Sequence, residues 1–271
     1  MKEVLAANET VSRAGTSRLI CNELNWRMAD GRLKEMACRV ALLEMERDGV
    51  LRLPPVLKPF CGNRRGLPIR TSLGERSEDI LGRAGDLREI HLDLVQRPAD
   101  KRLWAELVDR YHYLGYTPLG GAQLRYLIRS EDRVLGCLGF SAAVWKTAPR
   151  DQFIGWSVTQ REKSLEKVVN NARFLILPWV KVHSLASKSL SMAARRLAAD
   201  WDQCYGYRPV LLETFVEKER FAGTCYKAAN WLHVGQTQGR GRYDSRHQSA
   251  QPIKTIWLYP LTPAFRKELC S

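Results

Sequence analysis

A chain of 271 residues can bury about three quarters of the surface its unfolded form exposes, so it needs neither disulfides nor a structural metal to fold. Hydrophobic residues at 45% and charged residues at 27% exclude global disorder. Forty-three Lys and Arg against 29 Asp and Glu give a formal net charge of +14, which favours polyanionic partners, nucleic acid ahead of an anionic membrane surface. The central apolar run, Phe174-Leu175-Ile176-Leu177-Pro178-Trp179-Val180, is far short of the ~20 residues that cross a bilayer. Residues 1–9 lack the apolar core of a signal peptide. The seven cysteines are odd in number, widely spaced and without C-x-x-C. These features predict a cytoplasmic protein without a disulfide framework, a zinc ribbon or a membrane partner.

In chain order, residues 12–24 form the first expected helix, with Leu19, Ile20 and Leu24 on its apolar side and Thr16 and Ser17 as caps. Asp30-Gly31 punctuates a turn over residues 25–32. Residues 33–47 form the second helix, with Leu33, Met36, Ala37, Val40 and Leu43 as its apolar face. Gly49 stops it, and residues 50–53 alternate like a short strand before Pro54-Pro55. Helix, turn, helix and strand is the order of a winged helix-turn-helix, predicted over residues 1–57. Arg32, Lys34 and Arg39 are its groove-side candidates. A helical module that packs on a partner or on the rest of the chain fits the same order, and Glu35, Glu44 and Glu46 dilute the positive face.

Residues 58–89 scatter glycines among Arg64, Arg65, Arg70, Arg76, Arg83 and Arg88, and read as a basic linker able to contact phosphates. From residue 90 to 271 strands and helices alternate, which predicts a mixed α/β sheet. Helices are expected over 101–113, 161–169, 185–205 and 221–231, and strands over 124–128, 133–140, 173–182, 210–216 and 255–259. The long helix 185–205 carries Leu190, Ala193, Ala194, Leu197 and Trp201 on one face.

The run Phe174 to Val180, the long helix after it, and Ala222-Gly223-Thr224-Cys225-Tyr226-Lys227-Ala228-Ala229-Asn230-Trp231 follow the path of a known fold. This stretch, residues 173–234, resembles the Gcn5-related N-acetyltransferase fold. The resemblance puts Tyr226 in the place of that family's general acid. The family's coenzyme A loop is Gln/Arg-x-x-Gly-x-Gly/Ala, whereas Lys181-Val182-His183-Ser184-Leu185-Ala186-Ser187 has no glycine. A second set of blocks is Tyr111-His112-Tyr113-Leu114-Gly115-Tyr116, Arg150-Asp151 with Ile154-Gly155-Trp156, and Asn170-Asn171-Ala172-Arg173 running into the central strand. Leu212-Glu213-Thr214-Phe215-Val216 and the stretches 223–231 and 235–242 complete it. Together they resemble the DruA-like family of the Druantia anti-phage systems, whose relatives also occur near mobile elements. The resemblance implies antiviral defence or a mobile-element setting in a bacterium, with other defence or transposon proteins as partners, and no particular reaction.

Polar residues within apolar segments supply the candidate site. His112 is a candidate base or a structural histidine at a helix end. Asn170, Asn171 and Arg173 suit phosphates or base edges, or cap a loop. Glu213 sits among Val210, Leu211, Leu212, Phe215 and Val216, where a carboxylate must pair or titrate high. It is a candidate base or metal-binding carboxylate, or one half of a buried pair with Arg173. Tyr226 is the candidate acid or nucleophile. Thr237, Arg240 and Arg242 belong to the segment Gln236-Thr237-Gln238-Gly239-Arg240-Gly241-Arg242, suited to phosphate. No cofactor and no metal are assigned by the sequence. The function expected is binding of, and action on, nucleic acid, DNA ahead of RNA, with acyl transfer to an amine as the alternative.

Overall fold

The computed structural model describes residues 11–27, 33–54, 68–239 and 251–271. The chain divides into two units, Met1–Arg65 and Gly66–Ser271.

The first unit contains α1 (Arg13–Glu23) and α2 (Glu35–Arg47). Ser12 caps α1 by accepting from the Gly15 amide. Ile20 and Cys21 of α1 pack against Cys38 and Leu42 of α2, with Trp26, Leu33, Leu51 and Leu53 around them. The apolar faces expected from the sequence are therefore corrected. Leu19, Leu24, Met36, Val40 and Leu43 point outward, while Cys38 and Leu42 are buried. Residues 50–53, expected as a wing strand, are not in a strand among the described residues. Lys34 is exposed at the start of α2. Arg39 is bonded inside the unit, to Glu35 at 3.1 Å and Ser17 Oγ at 3.3 Å. Arg32 lies outside the described residues.

The second unit begins before the expected boundary at residue 90. A 3-10 turn, Ser72–Gly74, is anchored on α3 (Pro98–Tyr111). There the buried Glu106 carboxylate accepts from the Thr71 amide at 2.7 Å and from Thr71 Oγ1 at 2.8 Å. β1 (Ile80–Arg83) pairs in parallel with β6 (Val180–His183). The linker expected over 58–89 is thus built into the α/β unit from residue 71 onward.

The main sheet contains β2 (Ile90–Leu94), β3 (Gln123–Ser130), β4 (Arg133–Ala142), β5 (Val168–Ile176), β7 (Leu211–Glu217), β8 (Leu232–Gln236) and β9 (Lys254–Pro260). Its order is β2-β3-β4-β5-β7-β9-β8, antiparallel except for the parallel pair β5/β7. The crossover between β5 and β7 runs through β6 and α6 (Leu185–Tyr205). Four short helices complete the unit: α4 (Ala148–Ile154), α5 (Val158–Ser164), α7 (Thr224–Ala228) and α8 (Phe265–Leu269). The expected helix over 161–169 is shorter, and its last two residues open β5. The expected strand over 173–182 breaks at 177–179, around Pro178, into β5 and β6.

Each face of the sheet has its own core. One holds Val169, Leu212 and Val216 with α3, α6 and Tyr226. The other holds Val168, Leu211, Ile256 and Leu258 with Ile154 and α8. The unit is thus a mixed α/β layer fold with a single parallel pair in its main sheet.

Candidate functional site

β5 and β7 pair over three residues only, Val168↔Leu211, Val169↔Leu212 and Asn170↔Glu213. Beyond that pair each strand continues with its other neighbour, β5 with β4 and β7 with β9, and the two splay apart. The opening holds a cavity of about 1260 Å³. Its walls are the far halves of β5 and β7, residues 111–114 at the end of α3, loop 144–149, residues 220–226 into α7, and the strand ends at 236–239 and 251–254. Lys146, Arg173, Arg220 and Lys254 line it, and no Asp or Glu does so among the described residues.

A bulge shapes the β5 wall. The β4/β5 register steps from Gly139↔Arg173 to Phe140↔Asn171, leaving Ala172 as the extra residue. Asn171 pins it. Its Nδ2 donates to Gly139 O and to Arg173 O, each at 3.2 Å, and its Oδ1 accepts from the Tyr226 hydroxyl at 2.8 Å. Thr214 Oγ1 donates to Asn171 O at 3.1 Å. Gly223, in the left-handed region at φ 71°, precedes α7 and lies against Trp257, where a Cβ would come within 2.8 Å of the indole. Burial pushes the Tyr226 phenol well above its ordinary value. Tyr226 and Asn171 do meet, through this hydrogen bond, and both line the cavity. The phenol proton is engaged by Asn171 Oδ1, and the Asn171 NH₂ group is bonded to two backbone carbonyls.

Asn170 and Arg173 line the same wall. Arg173 donates from Nη1 to Ala172 O at 2.7 Å and from Nη2 to Thr117 Oγ1 at 2.5 Å. His112 follows the last residue of α3, and its Nδ1 accepts from the Leu114 amide at 3.2 Å, which assigns the ring proton to Nε2. Burial, and then the charge of Arg173, hold its imidazole down to about 4. His112 is therefore a neutral imidazole in the wall at neutral pH, with Nδ1 engaged by the Leu114 amide. Tyr113 stacks on it at 4.9 Å, touches Phe221 at 5.4 Å and carries the Arg220 guanidinium 5.3 Å above its ring. Thr237 lines the cavity but ties two strand ends together. Its amide donates to Lys254 O at 2.8 Å and its Oγ1 accepts from the Lys254 amide at 2.9 Å. Arg240 and Arg242 lie outside the described residues. Cys225, also in the wall, has its thiol raised by burial.

Glu213 requires the largest correction. Leu212, Thr214 and Val216 face the Tyr226 side of the sheet, so Glu213 faces the other, with Leu211 and Phe215. It lines no part of the cavity. Its partner is Arg150 at 2.9 Å rather than Arg173, and Oε1 accepts from the Val144 amide at 2.8 Å. Burial raises its carboxyl above the ordinary value, opposed by the charge of Arg150 and the Val144 amide. Arg150, fully buried, also donates to Val144 O at 2.7 Å and reaches Asp151 Oδ1 at 2.9 Å. Asp151 accepts from Trp156 Nε1 at 3.1 Å and faces Arg161 at 3.5 Å. This network fixes the loop that carries Lys146 to the cavity. Glu213 is fully buried and is bonded to Arg150 and to the Val144 amide. Among the described residues no group of three or more His, Cys, Asp or Glu could hold a metal ion.

The segment that would hold the coenzyme A loop in the acetyltransferase family is occupied by β6 and the start of α6, and none of residues 177–190 lines the cavity. No described helix is long and apolar enough to cross a membrane.

Comparison with solved structures returns acetyltransferases and an N-acyl amino acid synthase. The ribosomal-protein-S18-alanine N-acetyltransferase of Escherichia coli is 9% identical, over 64% of this chain and 95% of its own, with a TM-score of 0.39. An aminoglycoside acetyltransferase, AAC(6')-Ib, solved in complex with coenzyme A, is 12% identical over 64% and 95%, with a TM-score of 0.40. FeeM, an N-acyl amino acid synthase from uncultured soil microbes, is 11% identical over 68% and 96%, with a TM-score of 0.38. A search of curated protein sequences found no match. The profile of the family described as Druantia protein DruA matches residues 62–269, which takes in nearly the whole of the α/β unit. The chain belongs to the DruA family.

Proposed function

We propose that this DruA-family chain binds, and acts on, nucleic acid through the cavity between β5 and β7, DNA ahead of RNA, within a Druantia-type anti-phage system. The observation that carries the reading is a cavity of about 1260 Å³ whose described lining has four Lys or Arg side chains and no acid, on a chain of net charge +14. Such a lining favours phosphates, with Arg220 shared with the Glu217 carboxylate at 2.9 Å, and the size of the cavity suits a strand. The N-terminal unit takes a different role in this reading. The outward face of α2, with Met36, Val40 and Leu43, fits protein contact better than phosphate.

The test is binding of labelled single- and double-stranded DNA and RNA across a salt series. Affinity should fall steeply with salt. Replacing Lys146, Arg220 and Lys254 with Ala should lower the log–log slope by about 2, at roughly 0.7 per lost contact to a single strand. RNA bound more tightly than DNA would reassign the substrate. Absence of binding at low salt, together with tight binding of coenzyme A, would replace the reading with acyl transfer.

A further inference from the structure

Of the eight tryptophans, seven are buried or half-buried and one, Trp145, is 58% exposed. It stands at the rim of the cavity, because Val144 before it and Lys146 after it both line the wall. The Arg161 guanidinium, itself buried, lies over the ring at 5.5 Å from its centroid, and the rest of the indole is left to solvent. Tryptophan is highly buried on average, so an exposed one at a cavity mouth marks a contact surface.

The backbone that carries this ring is fixed from within. Glu213 and Arg150, both fully buried, hold the amide and the carbonyl of Val144, and Arg150 Nη2 reaches Trp145 O at 3.4 Å. Asp151 ties Arg150 to Arg161, the cation over the ring. Glu213, Arg150, Asp151 and Arg161 thus form one network around residues 144 and 145. Buried ion pairs add little net stability over apolar packing, so what this network supplies is position. A ring set in place beforehand meets a flat ligand without the cost of ordering itself.

The neighbours indicate which flat ligand. Lys146 is the next residue and Arg161 backs the indole, while the Asp151 carboxylate is taken up by Arg150, Arg161 and the Trp156 indole. An aromatic ring beside cations, at the mouth of a basic cavity, is the arrangement on which bases of a single strand stack. We propose that Trp145 stacks one unpaired base of a single-stranded nucleic acid at the rim of the cavity, with the adjoining phosphate on Lys146. The proposal rests on the nucleic-acid reading above and adds to it that a base, not only the backbone, is bound, and where.

The experiment titrates the full chain with a short thymine strand and with an abasic strand of the same length. Trp145→Ala, at an exposed position, should weaken the thymine strand by about 5- to 100-fold and leave the abasic strand unchanged. Trp145→Phe keeps a ring and should recover most of the affinity. Because the other tryptophans are covered, acrylamide quenching of wild-type fluorescence reads Trp145 first. The thymine strand should protect it and the abasic strand should not. A thermal melt of each variant checks that it folds. Equal losses on both strands, or none on either, would overturn stacking while leaving phosphate binding intact. Quenching unchanged by a saturating thymine strand would overturn it too, and would assign the ring, with the exposed Val144 and Val158, to a protein partner. A wild-type chain that binds neither strand would overturn the parent reading as well.

Discussion

Arg150 and Glu213 face each other at 2.9 Å with both side chains wholly removed from solvent, on the side of the sheet away from Tyr226. The pair holds loop 144–149 through the amide and the carbonyl of Val144. Removing one partner strands a buried charge. Glu213→Ala should cost about 3–5 kcal/mol, read as a lower denaturant midpoint. Glu213→Gln keeps the shape and should cost less. A Glu213→Ala protein with the wild-type midpoint would show that the pair does not hold the fold.

Tyr226→Phe should act on stability through Asn171. The substitution leaves Asn171 Oδ1 without its donor in a buried site, a loss of about 1–3 kcal/mol. Nucleic-acid binding by the folded variant should keep its wild-type salt slope, because no phosphate contact is removed. Loss of activity without loss of stability would instead restore a chemical role for the phenol.

Two truncations separate the domain boundaries. Residues 66–271 should fold alone. Residues 90–271 should not fold stably, because β1 and both Thr71 bonds to the buried Glu106 are removed. Each hydrogen bond to a charged group is worth about 1.5–3 kcal/mol, so the shorter piece should lose roughly 3 kcal/mol or more. Circular dichroism on heating distinguishes the two, and equal melting would place the boundary at residue 90 after all.

His112 gives the stability a pH dependence of defined sign. The unfolded chain takes up a proton near the ordinary 6.5, and the folded chain only near about 4. The contribution is full above the unfolded value and is lost as pH falls from 6.5 through about 4. With the ring half-buried and partly screened, about 1–2 kcal/mol is at stake. His112→Asn retains a side-chain acceptor for the Leu114 amide, and should remove that part of the slope in denaturation series at neutral and acid pH. An unchanged slope would show that His112 is not its source.

The long helix was legible because its pattern has a single solution. Leu190, Ala193, Ala194, Leu197 and Trp201 form one stripe, and Gly206 ends the helix in the left-handed region. α2 carries two apolar stripes, one through Met36, Val40 and Leu43 and one through Cys38 and Leu42. Periodicity alone does not say which one meets α1. β1 is four residues long and is held by a partner a hundred positions away, so no local pattern announces it.

The cleft was legible in outline, since Asn170, Asn171, Arg173 and Tyr226 do converge. Pairings were not. Glu213 needed a cation, and Arg150 and Arg173 were equally available in the sequence. The alternation of β7 decides between them, by turning Thr214 to one face and Glu213 to the other. Tyr113 and Phe221 carried no signal beyond being aromatic, because what makes them a pair is the fold that brings residues 113 and 221 within 5.4 Å.

The extra residue at Ala172 also bears on how this chain can change. A bulge resets the in-and-out phase of a strand, so the side chains before and after it are matched to two different frames. Loss of that one codon would make the β4/β5 ladder regular and turn one half of β5 over, moving either Asn171 or Arg173 away from its present neighbours. A one-residue insertion at the Glu131-Asp132 hairpin turn, at the rim of the same sheet, would meet no such constraint. Length variation among relatives of this chain should therefore gather at the hairpin tips and spare the middle of β5, even where the residues themselves drift.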